Sequence, residues 1–248
     1  MMTQHRPTLT IPASDWHRWR NEAGKLIRPH DDPLGLRLPR GWSVSRRNPG
    51  KVLCAFPGLK LKPGFRLAAY QYFDGGNGNG FVYALPQDAV LPEPHTVAKP
   101  EDLRTLTKPP GTLGHFMEAI EGDRSIESYA QASLLVRELY EFGAFWHGIH
   151  WDVEHLVTGN PWSPENSDPG AHDLPSPKGE WHWNAPPPED WRPKVTIGGE
   201  FIAVTFHTFS ALGEETLTRH TDTYLSGSYV PRFAEPARIA TGRESFIF

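Results

Sequence analysis

A chain of 248 residues with 25 Lys and Arg against 29 Asp and Glu carries a net charge of −4, too little positive field to hold a nucleic acid or an anionic membrane surface. Its 38% hydrophobic and 12% aromatic content is enough for a packed core and excludes an unfolded polyelectrolyte. A single cysteine excludes an internal disulfide, and no segment has the apolar length of a signal-peptide core or a membrane span, so a soluble protein of the reducing cytoplasm is expected.

The chain to about Arg47 is rich in Pro, Arg and Trp, with one short helix predicted: Ser14 as N-cap, Trp16 and Trp19 on one face, Gly24 at the stop. Next comes a β-rich stretch. KVLCAF (51–56) reads as a strand with Cys54 as a buried thiol. FRLAAYQYF (65–73) pairs with FVYAL (81–85) across DGGNGNG.

Gly76, Gly78 and Gly80 in that run raise the question of a phosphate loop. A phosphate site needs a helix N-terminus, but Gly80 leads directly into the strand pattern FVYAL. As a calcium loop, Asp74, Asn77 and Asn79 are wrongly spaced and no Glu closes the set. The prediction is a hairpin turn, where Asn and Gly supply positive φ.

After a proline-punctuated connection, Thr112 is placed to cap a short helix ending at Glu121. The main helix is predicted from Ser125 to His147. Ile126, Tyr129, Leu135 or Val136, Leu139, Phe142 and Trp146 form one apolar stripe along it. Residues 158–193 form a long Pro-rich connection holding Trp162, Trp181, Trp183 and Trp191. Such loops serve a function or are disordered, and tryptophans pull theirs onto a surface, as a structural strap or as a docking segment. KVTIGGEFIAVTFHTFSAL and ETLTRHTDTYL then read as antiparallel strands, and ESFIF as a last strand. The fold class expected is α+β, a single domain over 1–248. Its sheet is mostly antiparallel, one long amphipathic helix packs on it, and the Pro/Trp-rich connection spans 158–193.

Histidines and acids crowd the stretch IHWDVEH (149–155). If the helix continues to Val157, His147, His150 and Glu154 share a helical face. If it ends near Gly148, strict alternation makes 149–154 a strand with His150, Asp152 and Glu154 on its polar side, and this is the geometry that Gly143 and Gly148 favour. The strand carries a specific resemblance. His150, Asp152, His207 and Arg219 follow an order that resembles the His-x-Asp, distal His and basic residue of the 2-oxoglutarate-dependent non-haem iron oxygenases. That resemblance covers four residues. It implies His150, Asp152 and His207 as ligands of a divalent metal, iron or zinc, with Glu154 as a substitute ligand and Arg219 as the partner of an anionic cosubstrate. The structural alternatives are a solvated polar face for 150–154 and a hydrogen-bonded core histidine for His207.

The sequence has no GxSxG elbow, Walker loop, HExxH or paired-cysteine motif. Two functions are expected from it. One is a binding or interaction protein that presents Trp162, Trp181, Trp183 and Trp191 to a protein or small molecule. The other is a metal-dependent enzyme using the His-x-Asp and distal His set.

Overall fold

The structure is a computed structural model that describes residues 7–27, 40–74, 77–94, 108–144, 150–163 and 181–244. In chain order they form β1 (Thr8–Thr10), α1 (Ala13–Ile27), β2 (Gly41–Val44), β3 (Leu59–Leu61), β4 (Phe65–Asp74), β5 (Asn77–Pro86), β6 (Ile120–Gly122), α2 (Ile126–Tyr140) and β7 (His155–Val157). Then come β8 (His182–Trp183), β9 (Lys194–Gly198), β10 (Phe201–Ser210), β11 (Glu214–Leu225), β12 (Arg232–Phe233) and β13 (Ala237–Glu244), and 3₁₀ turns occupy Pro49–Ala55 and Phe116–Ala119. The ladders between these strands are antiparallel, so the α+β class holds. Among the described residues no helix is long and apolar enough to cross a membrane.

The chain divides into two compact units. The first comprises Met1–Arg18, Arg124–Ser133 and Asp152–Phe248, and the second Trp19–Asp123 and Leu134–Trp151.

The first unit is built on one sheet in the order β1-β9-β10-β11-β13-β8, with β7 beside β10 and β12 beside β11. Period-2 alternation divides its central strands into two faces. One face carries Ile202, Val204, Phe206 and Thr208 against Thr218, His220, Asp222 and Tyr224, all buried. The start of α2 packs there: Ser133 bonds the Tyr224 hydroxyl at 2.7 Å, and Tyr129 lies 5.5 Å from the Tyr224 ring. Trp16 of α1 sits 5.2 Å from Phe206. The flank of β10 is shared between two segments, β9 pairing with its first half and β7 with its second.

In the second unit β2-β4-β5 form a three-stranded sheet and β3-β6 a two-stranded ribbon. The β4–β5 hairpin matches the expected pairing, with Asp74 opposite Asn77 and residues 75–76 outside the described residues. Gly78 and Gly80 lie in the strand itself, not in the turn. A Cβ on Gly80 would overlap the backbone carbonyl of Phe142, so the bare α-carbon admits a close backbone crossing.

Several expectations are corrected. KVLCAF is a 3₁₀ turn: Asn48 accepts the Gly50 amide and Pro49 starts the turn, which buries Val52 and Ala55 and leaves Cys54 exposed. No helix runs from Thr112 to Glu121. His115 instead caps the short turn Phe116–Ala119, and Ile120 enters β6. The main helix stops at Tyr140, short of His147, because Gly143 takes positive φ (+89°) just past its end. That helix is also less amphipathic than its stripe suggests: Ser128 through Val136 are buried without interruption, small Ala and Ser residues filling the faces between the large ones. The last described strand is β13, and of the predicted strand ESFIF only Glu244 lies within the described residues.

Candidate functional site

The stretch Ile149–His155 is neither continued helix nor a strand along its length. Ile149 lies outside the described residues, 150–153 form a bend and turn, and the strand begins only at His155. The cause is a set of remote charges. Glu141, just past α2, accepts the backbone amides of both His150 and Trp151, drawing the chain into a bend that a strand cannot make. The Trp151 indole N–H donates to Glu138 at 2.8 Å, and its ring lies beneath Arg20 (4.3 Å) and near Arg137 (5.5 Å). Arg20 also donates to the Trp151 carbonyl at 2.6 Å and lies 3.7 Å from the Glu138 carboxylate. Two buried carboxylates are thereby compensated, as burial of charge requires.

The proposed metal residues differ in exposure. His150 and Asp152 are exposed and Glu154 is half-buried, while His207 is 5% exposed. Among the described residues no group of three or more His, Cys, Asp and Glu side chains could hold a metal ion. Strand β7 does run beside β10, but its register sets Val157 opposite His207. Arg219 is brought directly across from His207 in the β10–β11 ladder. His207 packs 5.3 Å from the Trp191 ring, and its Nδ1 makes a long 3.4 Å hydrogen bond to the Trp191 carbonyl, which fixes Nδ1 as the protonated nitrogen. Burial pushes its pKa down to about 4, with the nearby Arg219 and Lys194 charges acting in the same direction.

The four tryptophans converge. Trp162 meets Trp181 and Trp183 edge-on at 5.3 Å and Trp191 at 6.2 Å. Together they cover Val157, Phe209, Leu217, Ile239 and Ala240 on one face of the first unit's sheet. Their rings are largely turned to one another. The indole N–H groups of Trp162 and Trp181 are buried without a hydrogen-bond partner among the described residues. Residues 164–180 of the Pro-rich connection lie outside those residues.

The second unit holds a cleft that sequence reasoning missed. Its cavity, about 310 Å³, is lined by β5 from Asn79 to Tyr83, by Lys108, by 113–116 and by Leu139 and Tyr140 at the end of α2. That volume falls at the lower end of ligand pockets, roughly 300–1,000 Å³. Five consecutive strand residues cannot all project from one face, so it is the edge of β5 that lines the cleft; β5 is the edge strand of its sheet.

The polar groups here are ordered by one proton. Met117 N–H donates to His115 Nδ1 at 3.0 Å, so that nitrogen is an acceptor. Burial lowers the His115 pKa and keeps the ring neutral, which places its proton on Nε2. Nε2–H then donates to the Tyr140 hydroxyl, 2.8 Å away. Burial raises the Tyr140 pKa, so the phenol stays protonated and keeps its donor character beside the cavity. Glu118 returns the cap by accepting the His115 amide at 2.9 Å. Lys108 gives one N–H to the Gly114 carbonyl at 2.6 Å, out of the three that its ammonium carries. The rings of His115, Phe116 and Tyr140 pack at 4.6 to 5.9 Å and form an aromatic wall.

Little in the sequence points to this cleft. His115 and Tyr140 are 25 positions apart, and a capping box built on His in place of Ser or Thr falls outside the usual signature. No protein-family model, curated protein or solved structure matches the chain.

Proposed function

We propose that the chain is a binding protein and that the cleft along the edge of β5 holds its ligand. The observation that carries this reading is the union of an aromatic wall with two polar donors at one cavity. These are the Tyr140 phenol, oriented by His115, and the Lys108 ammonium, both lining the 310 Å³ space. A ligand with an apolar or aromatic body and a strong hydrogen-bond acceptor matches that combination. The tryptophan quartet favours a binding role less, since most of its ring surface is already spent on internal contacts. The metal-dependent alternative finds no group of three or more ligating side chains among the described residues.

The test is titration of the isotope-labelled full chain with 2-naphthoate, followed by amide chemical shifts. Shifts gathered on 79–83, 113–116 and 139–140 are expected. Tyr140→Phe should weaken binding roughly tenfold or more, the worth of one hydrogen bond to a carboxylate. Shifts confined to other surfaces, or none up to the solubility of the acid, would refute the assignment.

A further inference from the structure

The backbone of β5 adds something the side chains do not. The Ala69 carbonyl accepts the Ser45 amide at 2.8 Å on the β2 side of β4, so Ala69 and its partner Val82 form a non-hydrogen-bonded pair across β4–β5. Two residues on, the Ala84 carbonyl accepts the Leu113 amide at 3.1 Å, on the side of β5 away from β4. Both bonds set the same phase. The N–H and C=O of Val82 point outward along the open edge, into the wall of the cleft, as does the Gly80 carbonyl. Among the described residues no backbone partner takes the Val82 groups, whereas the Gly80 amide is taken by Asn79 Oδ1 at 2.9 Å.

An outward donor and acceptor on one strand residue are the complement of one residue of another extended chain. Leu113 already bonds to this edge in that manner, one pair further along. An edge left open beside a cavity, with no proline or charged residue from Gly80 to Val82 to blunt it, is suited to strand addition.

We infer that the ligand is an extended peptide segment that adds to β5 at Val82 and places an aromatic or aliphatic side chain against Phe116 and Tyr140. This rests on the reading of the cleft as the ligand site and deepens it by naming the ligand class. Affinity then comes from the main-chain pair, and preference from the ring-lined cavity.

The experiment uses the full chain and two probes: the capped pentapeptide acetyl-Thr-Val-Phe-Val-Thr-amide, and 2-naphthoate, which has no backbone to pair. The peptide is expected to slow hydrogen exchange of the Val82 amide roughly tenfold or more, and 2-naphthoate is expected to bind without doing so. Val82→Pro deletes the outward N–H without removing a bond to β4; it should abolish peptide binding. If 2-naphthoate binds at the cleft and the peptide either fails to bind or binds without protecting Val82, the peptide inference falls while the cleft stands. If neither probe reaches residues 79–83, both readings fall. Should Val82→Pro fail to fold, the exchange measurement on the unmodified chain decides the matter alone.

Discussion

Around Trp151 two guanidinium groups and two carboxylates gather, and the indole nitrogen itself is bonded to one of the acids. Around Trp162 the neighbours are three more indoles, and its ring nitrogen has no partner among the described residues. Two tryptophans from one chain are thus held by different forces. The first is fastened by directional, charge-assisted contacts that lose their value when any member is removed. The second is held by area and edge-to-face geometry, which degrade gradually.

That contrast can be broken most directly at its polar end. Trp151→Ala should cost about 3–5 kcal/mol, because it empties a buried site and strips Glu138 and Arg20 of a shared partner. Urea unfolding reads it, and a loss below about 1 kcal/mol would show that the charges do not cooperate through the ring. The apolar cluster has its own electrostatic weakness in His207, which leans on Trp191. Its pKa is 6.5 when unfolded and about 4 when folded. Above pH 6.5 both states are neutral there and nothing is lost. As pH falls from 6.5 toward 4 the unfolded chain takes up the proton first, so stability should drop by about 3 kcal/mol, with no further loss from this group below 4. His207→Phe should flatten that part of the stability–pH curve. Trp162→Ala should cost roughly 2 kcal/mol, less than Trp151→Ala because the ring is only half-buried and the other three can partly close over it. The finest distinction comes from phenylalanine at both positions. Trp151→Phe loses a hydrogen bond to a carboxylate and Trp162→Phe loses none, so the first should be worse by roughly 1.5 kcal/mol. Equal losses in thermal or urea unfolding would erase the distinction between the two regions.

The same contrast explains what is legible in the sequence. Period-2 alternation identifies the β4–β5 hairpin and the β10–β11 pair, and the three- and four-residue recurrence identifies α2, because burial acts on each of these segments locally. IHWDVEH defeats a local reading because the forces shaping it come from elsewhere. Glu138 and Glu141 look like ordinary helix-surface acids, and Arg20 lies far upstream, so nothing in the seven residues announces a bend. Cys54 eludes prediction for a related reason: a five-residue apolar run suits a strand or a 3₁₀ turn equally well, and the deciding group is the Asn48 side chain before it. For the cleft, His115, Tyr140 and Lys108 acquire meaning only through the proton order that Met117 imposes. A backbone amide leaves no trace in the alphabet of side chains.

Gly80 has a role beyond permitting a crossing. It touches the backbone at Phe142, two residues after Tyr140, and it also lines the cleft. The missing side chain therefore acts as a gauge, setting how far the end of α2 stands off from β5 and with it the reach of the Tyr140 hydroxyl. A methyl group there would be a shim, prying the helix terminus outward and detuning the cavity.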